Sequence, residues 1–232
     1  MSLNTAFRSA LLGAAFALPA AASAQSASLP TPDPAAFEVT QTDGDRVVAH
    51  KQSGGICPME LGGLPLAKTH NLRPSDGTNV ACQYDLQQED GLSRVTGYIY
   101  TYRGAEAESE YQAAKGAIRQ VSERSAIAIT EKPEWGQTCN GAISLALVAA
   151  AVNDDPDQPH TVNQWATIYH YDIPAMNGDP ARSETSLLSV YEAGDWMVKT
   201  RINIPGNSED DAKKVCDLAL SWIQTQADAI GD

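Results

Sequence analysis

The chain has 232 residues, with 16 Lys plus Arg against 29 Asp plus Glu, giving a formal net charge of −13. A surface this acidic repels phosphate backbones and anionic lipid, because binding them requires clustered Lys or Arg to replace counterions. The basic residues are scattered, with no cluster longer than Lys213-Lys214. Nucleic acid and acidic membrane surfaces are thereby excluded as partners, and an unidentified protein or small molecule remains.

Residues 1–24 hold a single charge, Arg8, followed by the apolar run Ala10 to Leu18 and a small-residue stretch ending Ala22-Ser23-Ala24. A positive start, a short apolar segment and an A-x-A site form the signature of a secretory signal peptide. The run is too short to cross a bilayer, which takes about 20 apolar residues. Cleavage is expected after Ala24, leaving 208 residues from Gln25 with a formal charge of −14. No later stretch is apolar enough to span, so the mature chain is read as having no membrane span. The Ala-rich leader and the lack of any Asn-x-Ser/Thr site point to a bacterial periplasm, or more broadly to a secreted protein. Such compartments are oxidising, and disulfides persist there.

Residues 25–36, with Pro30, Pro32 and Pro34, read as a flexible Pro-rich lead-in, because proline removes backbone donors and favours extended chain. Residues 37–232 then read as one α+β domain, the default for this length. Val80, Cys82, Tyr84 and Leu86 alternate with Ala81, Gln83 and Asp85, which is the period of a strand. Val95, Gly97 and Ile99 alternate with Tyr98, Tyr100 and Tyr102, and Asp90-Gly91 within 87–92 signals a hairpin with a longer loop. After Gly104 the apolar spacing changes to Ala107, Tyr111, Ala114, Ile118 and Val121, predicting a helix over about 105–124 with acids in its first turns.

Further on, 143–152 is Ala-rich and reads as either strand or helix. Residues 162–173 read as a strand, with Trp165, Thr167, Tyr169, Tyr171 and Ile173 in phase. Strands at 187–192 and 196–204 meet through Ala193-Gly194. Ser208, with Glu209, Asp210 and Asp211, is a hydroxyl cap with negative charge at the positive end of a helix dipole, and it opens a second main helix over about 208–230. Hairpin, glycine, acidic start and helix thus occur twice, which fits a duplicated ββα unit or two independent runs. Many strands with two separated helices imply a mainly antiparallel sheet carrying helices on a face.

The four cysteines, Cys57, Cys82, Cys139 and Cys216, allow three pairings. Cys57 and Cys139 sit in Gly-rich stretches read as loops, and Cys82 and Cys216 on inward faces of a strand and a helix. Loop-to-element staples are then Cys57–Cys82 with Cys139–Cys216, or Cys57–Cys216 with Cys82–Cys139. The first set is favoured because pairs near in sequence close with less topological demand. No Cys-x-x-Cys is present, so the bridges are read as structural.

No Gly-x-Ser-x-Gly, Ser-x-x-Lys, His-Glu-x-x-His, phosphate-binding glycine loop or GxGxxG occurs. Among the histidines, His170, between Tyr169 and Tyr171, is the best placed for catalysis. Asn153, Asp155 and Asp157 put oxygens at alternate positions, as calcium loops do. The required glycine is replaced by Gln158 and the closing glutamate by Gln164, so a solvated turn is the preferred reading. Tyr98, Tyr100 and Tyr102 form a stripe that either lies under a helix or offers a binding platform. No cofactor is implied. The leading expectation is a non-enzymatic periplasmic binding or accessory module; the alternatives are a hydrolase built near His170 or the acidic loop, and a structural envelope protein presenting a sheet edge.

Overall fold

The structure, a computed structural model, describes residues 30–42, 44–101, 106–154, 162–176 and 178–230, with the backbone alone for 152–154. The leader with its junction after Ala24, Tyr102, Asp155 and Asp157 lie outside the described residues, as does the side chain of Asn153.

The protein is α+β, with 11 described strands in antiparallel sheets and three helices. A small sheet comprises β1 (Phe37–Thr42), β2 (Asp45–His50) and β3 (Ile56–Pro58). The large sheet holds β4 (Glu60–Leu61), β5 (Leu64–Asn71), β6 (Asn79–Gln88), β7 (Gly91–Thr101), β8 (Ala128–Glu131), β9 (Gln164–Ile173), β10 (Arg182–Ala193) and β11 (Trp196–Pro205). Its order is β4-β5-β6-β7-β11-β10-β9-β8. The helices are α1 (Ala107–Ser125), α2 (Pro133–Asp154) and α3 (Glu209–Ile230).

Strand alternation divides the core in two. Val95 and Ile99 of β7, Ile168 of β9, Leu187 of β10 and Val198 and Ile202 of β11 face α2, α3 and the small sheet. Their neighbours Tyr100, Tyr169, Leu188 and Met197 face the other way, against Ala107, Tyr111 and Ile118 of α1. Helix α1 therefore lies on the opposite face from α2 and α3. The hairpins β6–β7 and β10–β11 are side by side through the antiparallel β7–β11 pair. A two-fold relating them would run perpendicular to the sheet and keep both following helices on one face. They are on different faces, so this two-fold relates the hairpins but not the complete ββα runs.

Other features of the elements refine or correct the expectations. Residues 143–152 are helical, inside α2, and Cys139 sits on that helix rather than in a loop. The helix runs through its two glycines: at Gly136 a Cβ would make ordinary contact with Thr167 Cα of β9 at 3.6 Å, and at Gly141 it would meet nothing within 4 Å. The 87–92 segment is a tight turn, with Gln88 paired to Gly91. In α1, Val121 is 51% exposed and Ser122 is buried in its place. Within the expected lead-in, Asp33 to Ala36 form a turn (Phe37 N–H to Asp33 C=O, 2.9 Å), and Ala36 enters the core.

Helix α3 starts on a capping box: the Asp211 N–H donates to Ser208 Oγ at 3.2 Å, and the Ser208 N–H donates to Asp211 Oδ2 at 3.1 Å. Its fully buried Trp222 lies against Gly97 of β7, where a Cβ would come within 2.3 Å of the indole. Gln226, also fully buried, accepts from Ile56 N–H at 3.1 Å and donates to Ile56 C=O at 2.6 Å, so a side-chain amide completes the edge of β3. Disulfides join Cys57 to Cys82 (Cα–Cα 5.8 Å) and Cys139 to Cys216 (5.6 Å), tying the small sheet to β6 and α2 to α3.

Two stability experiments follow from these contacts. Gly97→Ala is expected to destabilise by about 1–3 kcal/mol through overpacking, read as a shift in urea midpoint. In a Trp222→Leu background the same substitution should lose most of its effect, because the clashing ring is gone. For the bridges, chain-entropy reasoning sets an upper value of about 3.5 kcal/mol for Cys57–Cys82. Cys57→Ser should therefore still fold while melting about 6–14 °C lower, with early protease cuts within 54–71; an unchanged melting temperature would show the bridge to be without structural weight.

Candidate functional site

The two faces of the large sheet are not equally covered. Helix α1 packs on β8, β9 and β10 and reaches the middle of the sheet through Tyr100 and Met197 and through Glu110, which accepts from Lys199 Nζ at 2.9 Å. That ammonium also sits over the rings of Tyr98 (4.9 Å) and Tyr100 (5.1 Å). Beyond this wall, the same face of β5, β6, β7 and β11 has no helix over it among the described residues. It carries a shallow cavity of about 400 Å³, lined by His70, Gln83, Arg94, Tyr98 and Arg201 among others. The depression follows from side-chain length: the short Ala81 and Thr96 are cross-strand partners of Tyr98 and of Gln83 and Arg201, and longer neighbours rise around them.

Its rim is preorganised by hydrogen bonds within and between strands. His70 Nε2 and Gln83 Oε1 are 3.2 Å apart, Gln83 Nε2 donates to Asp85 Oδ2 at 2.8 Å, and Arg94 donates to both oxygens of Asp85 at 2.7 and 2.9 Å. Burial pushes the Asp85 carboxyl up, but hydrogen bonds from Arg94 and Gln83 and the Arg94 charge outweigh it, holding its pKa below the usual carboxylate value. Burial raises the Tyr98 phenol, and the nearby Arg201 charge opposes that rise. Arg201 has the Tyr171 hydroxyl as a hydrogen-bonding neighbour but no carboxylate within ion-pair distance among the described residues, and its Nε is buried without a hydrogen-bond partner.

The expected site residues separate accordingly. Tyr98 borders the cavity, whereas Tyr100 is 6% exposed and lies under α1, so the stripe is split between platform and core. The structure places Asn153 at the end of α2, and Asp155 and Asp157 lie outside the described residues. His170 Nε2 is 3.0 Å from Asp172 Oδ1, and Ser183 Oγ donates to that same oxygen at 3.1 Å. A nucleophilic triad needs the hydroxyl on the imidazole and the carboxylate behind it. Here the carboxylate stands between the other two, and His170 Nδ1 is buried without a partner. Arg94 and Arg201 carried no signal in the sequence beyond the ordinary polar alternation of a strand.

No protein-family model matches the chain, and no curated protein and no solved structure matches it.

One histidine is structural and sets a pH dependence. His50, 1% exposed, hydrogen-bonds through Nδ1 to Ser53 Oγ (2.7 Å) and through Nε2 to Gly77 C=O (2.8 Å), with its ring at the edge of Trp196. Burial lowers its pKa, and the bond to Gly77 only partly offsets this. As pH falls below about 6.5, the unfolded chain takes up this proton before the folded one, so stability is full above that value and declines beneath it. Urea midpoints compared at pH about 7.5 and about 5.5 should show this loss in the wild type and little of it in His50→Gln.

Proposed function

We propose that the protein is a non-enzymatic binding or accessory module of an extracytoplasmic compartment, a bacterial periplasm in the reading of its leader, and that it binds through the uncovered face of β5, β6, β7 and β11. The single observation that carries this reading is the depression rimmed by the His70–Gln83–Asp85–Arg94 network and by Tyr98 and Arg201. A hydrogen-bonded polar rim around a shallow floor suits recognition, since its groups are already held in place before a ligand arrives. Two disulfides and the absence of any membrane-length apolar helix among the described residues agree with such a compartment. The envelope-protein alternative shares this location but leaves the rimmed cavity without a role. The hydrolase alternative draws on His170, whose hydroxyl neighbour bonds to Asp172 instead of the imidazole.

The test uses protein recovered from periplasmic extract, whose N-terminus is expected at Gln25. Amide resonances are followed while a library of small polar metabolites is added, and turnover of ester, amide and phosphoester substrates is measured in parallel. Ligand-induced shifts confined to 68–71, 80–85, 94–98 and 199–203, with no turnover, are the expected outcome. Turnover lost in His170→Gln would replace this reading with the hydrolase.

A further inference from the structure

We propose that the uncovered face binds a small molecule through a single carboxylate, received by Arg201 on the floor side of the rim; this rests on the binding-face reading above. The chain has far more acids than bases, yet the guanidinium of Arg201 is half-buried in the sheet without an acid to meet it. The other arginine lining the cavity, Arg94, is occupied by Asp85, and Lys199 and Arg182 beside it are occupied by Glu110 and Glu184. Among the described residues the guanidinium meets only the neutral Tyr171 hydroxyl, and its Nε–H is unsatisfied, so it still lacks a counter-charge, and desolvating a cation without one is unfavourable. The planar fork of arginine matches a carboxylate with two parallel hydrogen bonds. Asn203, on the same strand, adds a buried side-chain oxygen without a donor, so a ligand with a hydroxyl or N–H beside its carboxylate fits both.

The surroundings limit the charge to one. Arg94 and Asn203 also line an adjoining cavity of about 590 Å³, whose other walls include Glu89, Asp90, Asp179 and Glu184. A polyanion reaching across both cavities would meet these carboxylates, as well as the net charge of the whole chain. A monocarboxylate whose remaining body is neutral or cationic keeps its one charge at Arg201, away from those four carboxylates, and meets less of that repulsion.

The experiment follows the arginine Nε–H resonances of the disulfide-intact protein during titration with benzoate, benzamide or inorganic phosphate. Benzoate is expected to shift the Arg201 Nε–H saturably, with a weaker response to phosphate and none to benzamide. Arg201→Gln should weaken benzoate binding about tenfold or more, the scale of one charge-assisted hydrogen bond, and Arg201→Lys should recover part of it. If benzamide matches benzoate at these residues, the carboxylate proposal falls while the binding face stands. Phosphate binding more tightly than benzoate also overturns it. Benzoate shifting the face equally in wild type and Arg201→Gln removes Arg201 as the receiver. If no probe shifts this face and turnover appears at His170, the binding reading itself fails.

Discussion

The fold is organised by how closely α3 approaches the large sheet. At Gly97 the strand presents bare backbone, and the Trp222 indole occupies the space that any side chain would fill. Burying a ring of that size against close-packed neighbours is among the largest single contributions a core residue makes. Everything else on that face is then registered to α3. Cys216 fixes α2, Gln226 pairs with the backbone of Ile56, and Leu218 closes over the β4–β5 turn at Gly62. Two helices and the small sheet thus share one side.

The other side is left to α1 alone, and one helix about ten ångströms wide cannot cover eight strands spaced nearly five ångströms apart. Helix α1 covers the β8–β10 end, where Tyr169, Tyr171, Leu188 and Val190 make that face apolar, and its cover extends to Met197 of β11 and Tyr100 of β7. Toward β5 the same face becomes polar, and a hydrogen-bonded network replaces the missing layer. The Lys199 ammonium, shared between two tyrosine rings and Glu110, marks the boundary between these regimes. A cavity at such a boundary is a direct result of the unequal distribution of helices.

How much of this was legible in the sequence can be argued residue by residue. The alternations in β6, β7, β9, β10 and β11 and the capped start of α3 are local patterns, and local patterns survive into the structure. The staples Cys57–Cys82 and Cys139–Cys216 followed from sequence proximity, even though Cys139 belongs to a helix. That helix was obscure because α2 is apolar almost all round and interrupted by glycines, so it has no stripe for periodicity to detect. Strands β1, β2, β5 and β8 are short or polar, and they take their conformation from partners distant in the chain. The face bearing Arg94 and Arg201 could not be told from any solvated strand face, since which half of a sheet lacks a helix is a property of topology. Nor could the sequence reveal that α1 and α3 take opposite sides, which separates Tyr98 from Tyr100 in role.

The docking of the small sheet has a consequence for how the molecule opens. Its three strands share no ladder with the large sheet; they are held by Phe37 and Val48 in the common core, by the amide of Gln226, by His50 against Gly77 and Trp196, and by one covalent link at Cys57. Local opening of these contacts would swing β1–β3 away as a tethered flap while every ladder of the eight strands stays closed. A unit that shares no ladder with its neighbours can open as a foldon of its own before a continuous sheet does. With the disulfide intact the flap cannot drift far, and its return is a short intramolecular search rather than a refolding event.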